Sequence, residues 1–150
     1  MRFFVLSGML ALVSLGANAA ELEVTGAWLR LPPPVSDTAA AYMVLYNPGG
    51  KPVRIIGASS DMARSVKMHG LKVEGEVMNM FELETVAVAP HAFFAFSAGG
   101  NHLMLVGLKK PLQAGEEVNI TLHFADGSHQ RLKAIVRDMR GRHGSEQRYR

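Results

Sequence analysis

Val118-Asn119-Ile120-Thr121-Leu122-His123-Phe124 alternates apolar and polar residues without a break, and Asp126-Gly127 follows it directly. Successive strand residues point to opposite faces, so Val118, Ile120, Leu122 and Phe124 form one apolar face. Asp-Gly is a strong turn signal. From Gln130 to Val136 the alternation resumes with Leu132, Ala134 and Val136 inward, so the two segments predict a C-terminal hairpin. The same period recurs upstream, where helical periodicity is scarce. Ala39 to Asn47 and Val53 to Ala58 read as strands joined across Asn47-Pro48-Gly49-Gly50, a turn by composition. Val66 to His69 and Glu76 to Leu83 flank a turn at Glu74-Gly75. Ala92 to Phe96 and His102 to Val106 are separated by Ser97 to Asn101, with Gly99-Gly100 at its centre. Leu22 to Leu29 opens the domain, and Pro32-Pro33-Pro34 ends that strand because proline cannot donate to a ladder. Short strands separated by frequent turns predict an all-β fold, an antiparallel sandwich or barrel in a single domain.

The first twenty residues stand apart. Met1-Arg2, the apolar run Phe3 to Gly16 and the exit Ala17-Asn18-Ala19-Ala20 make the three parts of a secretory signal peptide. Cleavage is expected after Ala19, with Ala20 as the near alternative, so residues 1–19 form the leader and 20–137 the domain. The apolar run is too short for a good transmembrane helix, and a stable membrane insertion is not expected. A lipid-anchored form would need a cysteine at the cleavage point, and the chain has none. Loss of Arg2 with the leader lowers the formal charge from +3 to +2. Five arginines from Arg137 to Arg150, against Asp138 and Glu146, put the positive surplus at the C-terminal end, and the tail 138–150 is expected to be solvated and disordered. The body is close to neutral and lacks a basic stripe with interleaved aromatics, which argues against nucleic-acid binding.

A second pattern concerns chemistry. His69, Met80, His102 and Met104 occur in a chain without cysteine. Imidazole and thioether together suit a soft monovalent copper ion, since thioether sulfur binds Cu(I) well and Zn²⁺, Mg²⁺ or Ca²⁺ poorly. In an oxidising compartment, thiols would oxidise or cross-link. Strand parity places His102 and Met104 on one face, with Leu103 and Leu105 on the other. A hairpin at Glu74-Gly75 would bring His69, at the end of its strand, close to the strand of Met80. Gly99-Gly100-Asn101 lets the backbone bend just before His102. Four neutral ligands would leave only the metal's own charge. Each residue also has an ordinary reading: methionine fills cores and this chain has nine, while a lone strand histidine is more often exposed or hydrogen-bonded.

The spacing His-x10-Met-x21-His-x-Met, met here by His69, Met80, His102 and Met104, resembles the signature of the periplasmic copper chaperones called PCu(A)C. The resemblance extends through Ala27-Trp28, Ala41-Tyr42, Asn47, Gly57-Ala58-Ser59-Ser60, Gly99 to Leu105, Gly107-Leu108, Pro111-Leu112 and Gly115, covering Leu22 to Val136. It implies a cupredoxin-like fold binding one Cu(I) per chain through His69, Met80, His102 and Met104. It also implies a periplasmic, monomeric protein that supplies copper to the Cu(A) centre of cytochrome c oxidase. The partners implied are the copper ion, oxidase subunit II and thioredoxin-like copper assembly factors. One departure is Pro90-His91-Ala92, where such proteins carry glycine or a small residue after the proline; it raises His91 as an extra surface ligand. The tail offers only Met139 and His143, which argues against a strong Cu(II) site there.

Other residues read more plainly. Met68 faces away from its neighbour His69 and reads as core, as do Met43 and Met62. Met78 shares a face with Met80 and could supplement the site. His123 and His129, the latter in a hairpin loop, read as surface histidines; Trp28 reads most simply as a core anchor at the end of the first strand, with an aromatic wall near the copper as the alternative. The absence of thiolate excludes a blue-copper carrier, and the absence of a redox thiol means that a separate reductant would act on an acceptor disulfide. No nucleophile elbow, placed carboxylate pair or cofactor loop supports an enzyme. The alternatives to delivery are a periplasmic copper buffer serving tolerance and, in a different class, a sandwich module for interaction with no metal.

Overall fold

The computed structural model describes residues 19–140, so the expected leader, apart from Ala19, and the tail from Gly141 onward lie outside the described residues. Ten strands make up the domain: β1 (Glu23–Arg30), β2 (Thr38–Tyr46), β3 (Val53–Ser59), β4 (Ala63–Glu74), β5 (Val77–Glu82), β6 (Val86–Val88), β7 (Phe93–Phe96), β8 (His102–Leu108), β9 (Glu117–Phe124) and β10 (His129–Arg137). The strands run in the order β5-β4-β8-β2-β1-β10-β9-β3-β6, and a further β3–β4 pairing closes seven of them into a barrel. The all-β barrel expected from the alternation is the fold observed. No helix among the described residues is long and apolar enough to cross a membrane.

Alternation builds the core. Val118, Ile120, Leu122 and Phe124 of β9 are buried, as are Leu132, Ala134 and Val136 of β10. Their hairpin closes through a three-residue loop with Gly127 at φ +85°, the left-handed position that this loop length requires. Leu103 and Leu105 of β8 and Ala39, Ala41, Met43 and Leu45 of β2 complete the interior with Met68 of β4. Met62 is half-buried against the same core.

Several local expectations change. The barrel is not wholly antiparallel: β1, the first strand, lies parallel to β10, the last, between β2 and β10. Trp28 is not a core anchor. A bulge between Thr25 and Trp28, with Gly26 at φ +62°, shifts the phase of β1. Leu22 is buried before the bulge and Leu29 after it, so Trp28 turns outward. Strand β4 begins at Ala63 and runs to Glu74, which puts His69 in its middle, not at its end. β2 and β3 follow each other in the chain but do not pair. β7 and β8 both pair with β2, β7 along Met43 to Tyr46 and β8 along Thr38 to Ala41, so they are successive segments on one edge of β2. The loop between them is closed by Ser97 N donating to Asn101 O at 2.8 Å and Gly100 N to Ser97 O at 2.9 Å. The three-residue β6 was not legible as a strand.

The backbone at position 91 accounts for a preference for glycine there. Ala92 N donates to Ala89 O at 3.2 Å, which makes Pro90 and His91 the central residues of a turn. His91 has φ 55°, the only positive value outside glycine among the described residues. Proline followed by a left-handed residue is the type II arrangement, whose second position favours glycine. His91 is exposed and sits beside Asn47, the residue that follows β2, five residues from Tyr42 and hence about 17 Å from it. Replacing His91 by glycine is expected to stabilise the fold by about 0.5–1 kcal/mol, the left-handed strain less the added unfolded-state entropy. Urea unfolding of the two proteins measures this, and a destabilised H91G would show that the ring makes compensating contacts.

Candidate metal centre

Three neighbouring strands present one outer face. His69 of β4 pairs directly with His102 of β8 on one side and with Glu82 of β5 on the other. Met104 is opposite Lys67 of β4 and Ala40 of β2. Directly paired residues share a face, so Lys67, His69, His102 and Met104 stand together outside the barrel, with Leu103 and Leu105 behind them in the core. The two imidazole rings are 5.5 Å apart, edge to face at 82°.

Their nitrogens are prepared unequally. His102 is buried, and its Nδ1 lies 3.0 Å from the Gly100 carbonyl oxygen. A carbonyl only accepts, so Nδ1 carries the proton and Nε2 keeps a free lone pair. The Gly99-Gly100 loop thus fixes a ring tautomer as well as a bend. On His69 the Nδ1 atom is buried and has no hydrogen-bond partner. An orphaned nitrogen beside a second imidazole with a free lone pair is what a metal site requires. Burial lowers the His69 pKa from 6.5; His102 and Lys67 lower it further, and Glu82 opposes them. His69 is therefore neutral, the form that binds a metal, to more acidic pH than a free imidazole. In the metal-free protein its NMR titration midpoint is expected below 6.5. The midpoint should rise in His102→Ala, which removes a lowering charge and part of the burial. An unchanged midpoint would mean that the rings do not sense each other.

The methionines are placed differently. Met104 is half-buried beside the ring pair. Met80 pairs with Leu71, two residues along β5 from Glu82, which makes it a diagonal neighbour of His69 at about 7–8 Å between Cα atoms. Met104 is the diagonal neighbour on the opposite flank. By register, Met80 and Met104 are separated by about 13 Å along the strands and two strand spacings, about 10 Å, across them. His69, His102 and Met104 are brought together, then, while Met80 sits on an exposed hairpin that would have to curl over the pair to reach the same ion. Every residue of β5 is exposed, and the turn has Gly75 at φ +66°. The back of the hairpin is held where the Phe81 ring covers Gly70 of β4. Met78 shares the Met80 face and is also exposed.

Two further features frame this face: an ion pair that was not legible in the sequence, and the aromatic wall that was the alternative reading of Trp28. The Lys67 ammonium donates to both Glu82 carboxylate oxygens at 2.9 Å, so the carboxylate opposite His69 is already engaged. Beyond His102 the face continues into Tyr42 and Trp28, whose rings are 4.6 Å apart, with the Arg137 guanidinium 5.5 Å from the Trp28 ring centre. These two aromatics, with Val44 and Phe93, line an open groove of about 490 Å³. Among the described residues no group of three or more His, Cys, Asp or Glu could hold a metal ion, so a site on this face with more than two protein ligands draws on thioether sulfur.

The chain is similar to several known proteins. Residues 22–136 match the family described as "Putative lipoprotein LpqE-like". A protein of Leifsonia xyli subsp. xyli named "Putative lipoprotein Lxx21020" is 31% identical over 127 residues, covering 84% of this chain and 75% of the relative. The solution structure of CuI-DR1885 from Deinococcus radiodurans is 33% identical with a TM-score of 0.66, covering 83% of this chain and 84% of that one. The copper-bound PCuAC domain from PmoF2 is 25% identical with a TM-score of 0.67, covering 80% and 95%. The chain belongs to the LpqE-like family, and its barrel is a PCuAC domain with the cupredoxin-like fold.

Proposed function

We propose that this protein is an extracytoplasmic copper chaperone that carries one Cu(I) per chain and passes it to the Cu(A) centre in subunit II of cytochrome c oxidase. The observation that carries the reading is the His69–His102 pair, with an orphaned Nδ1 on one ring and a fixed tautomer on the other, beside the thioether of Met104. Copper is the cargo. His69, His102 and Met104 receive it, and Met80 completes the set when the β4–β5 hairpin folds over. Two imidazoles and two thioethers are neutral and soft, and a soft, uncharged set favours Cu(I) over Cu(II). The site faces outward on three strands, where an acceptor can approach, and the exposed ligand on the hairpin gives a route for release. Export to the periplasm through a cleaved leader places the monomer where subunit II presents its copper domain. The chain has no cysteine, so the acceptor is reduced by another protein, for which a thioredoxin-like assembly factor has the right chemistry. Carriage and transfer need no catalytic group, and the reading is of a non-enzymatic protein.

Titration with Cu(I) under reducing conditions, against a competing chelator, is expected to give one equivalent per chain. X-ray absorption is expected to count two nitrogen and two sulfur neighbours; a sulfur-free site would overturn the assignment. Deleting the gene should lower oxidase activity under copper limitation. Full oxidase activity in the deletion strain would favour buffering over delivery.

A further inference from the structure

We infer that the protein carries a second metal site, for divalent copper, on the β9–β10 hairpin at His123 and His129. His129 is the first residue of β10, not a loop residue, and it pairs directly with His123. Phe124 N donates to Ser128 O at 2.9 Å, which makes Phe124 and Ser128 a hydrogen-bonded pair. Antiparallel pairs alternate, so His123 and His129 occupy the next, non-hydrogen-bonded position, where opposite Cα atoms approach to about 4.5 Å and side chains are closest. Both rings lie on the outer face, since Leu122 and Phe124 take the inner one. On the other side of β9 the residue opposite His123 is Gly57, and a Cβ built there meets nothing within 4 Å, so the space beside the ring is open.

Ser59 adds a positioning contact. Its hydroxyl lies 2.8 Å from His123 Nε2. With Nε2–H donating to that hydroxyl, the lone pair of Nδ1 is left for a metal, as a hydrogen bond on one imidazole nitrogen sets which other nitrogen ligates. Two cross-strand imidazoles, with water filling the remaining positions, suit a borderline divalent ion, and among these Cu(II) binds most tightly. Arg131, on the same face two residues along β10, opposes a cation and keeps the affinity moderate. β9 borders β10 and β3, and β10 borders β9 and β1, so neither adjoins β4 or β8 and this pair cannot share the ion of His69 and His102. A thioether face for the reduced ion and an imidazole pair for the oxidised one let a single chain hold copper in both states. The inference stands on the His123–His129 geometry and does not depend on Cu(I) binding at the other face.

Paramagnetic broadening tests it in the full chain without reductant. Substoichiometric aqueous Cu(II) is expected to broaden the amide NMR signals of Ser59, His123 and His129 selectively. His123→Ala and His129→Ala, both outside the core, should each abolish this broadening and leave any broadening around His69 and His102 in place. Ser59→Ala should keep the site but weaken it by about tenfold, in the range for loss of an outer-shell partner. Absence of broadening at the hairpin, or its persistence in His129→Ala, would overturn the inference, whatever the Cu(I) titration gives.

Discussion

Met104→Leu is expected to lower Cu(I) affinity by more than about 100-fold while the protein stays folded. The thioether supplies the sulfur that the His69–His102 pair lacks, and leucine has no donor atom. Loss of an outer-shell partner typically costs roughly 10–100-fold, and loss of a ligand should exceed that. One hundredfold corresponds to about 2.8 kcal/mol of binding free energy. Stability should change by less than about 1.5 kcal/mol, because leucine conserves volume at a half-buried position. A chelator competition assay beside a thermal melt reads both quantities. Wild-type affinity in the leucine variant would remove Met104 from the site. Met80→Leu distinguishes the hairpin's role: an unchanged sulfur count by X-ray absorption would mean that the hairpin never closes over the ion.

Asn47→Ala is expected to cause the largest loss of stability among single polar substitutions, about 3 kcal/mol, or a fall in melting temperature of roughly 10 °C. Asn47 is 1% exposed, and its side chain ties three segments together. Nδ2 donates to Lys51 O at 2.8 Å and to Val88 O at 3.0 Å, while Oδ1 accepts from Gly49 N at 3.0 Å. Alanine would leave the buried Val88 carbonyl without its donor and cut the link between β6 and the end of β2. The carbonyl of Lys51 and the amide of Gly49 are near solvent and can rehydrate, so most of the loss belongs to Val88. Copper affinity of the folded variant should match wild type, because Asn47 is far along β2 from the His102 face. A loss below about 0.5 kcal/mol would show that water replaces the amide.

Much of the barrel was legible because side-chain period in a strand is fixed by backbone geometry. β8, β9 and β10 needed only their alternation, and the turns at Gly75 and Gly127 only their glycines. The misreadings share one cause, which is that period says nothing about partners. Trp28 read as a core anchor because it is a large aromatic at the end of an apolar strand, and the bulge between Thr25 and Trp28 that turns it outward shows only in the pairing with β2. Ala63 to Ser65 lack an alternating pattern, yet pairing with β8 extends β4 over them. β7 and β8 read as two strands around a loop, and nothing local shows that both lie on the same edge of β2.

The candidate site divides in the same way. Residue chemistry and strand parity alone assign the soft ligand types and set His102 with Met104 on one face, because both are properties of single residues and of one strand. Register requires two strands, and so only the tertiary structure decides what each ligand faces. It puts His69 opposite His102 with Glu82 behind it, engaged by Lys67, and sets Met80 on the far flank of an exposed hairpin. It also turns two unremarkable surface histidines, His123 and His129, into a facing pair. A one-residue slip in either pairing would send these side chains to the opposite face, and it is burial of the alternate residues in the core that forbids the slip.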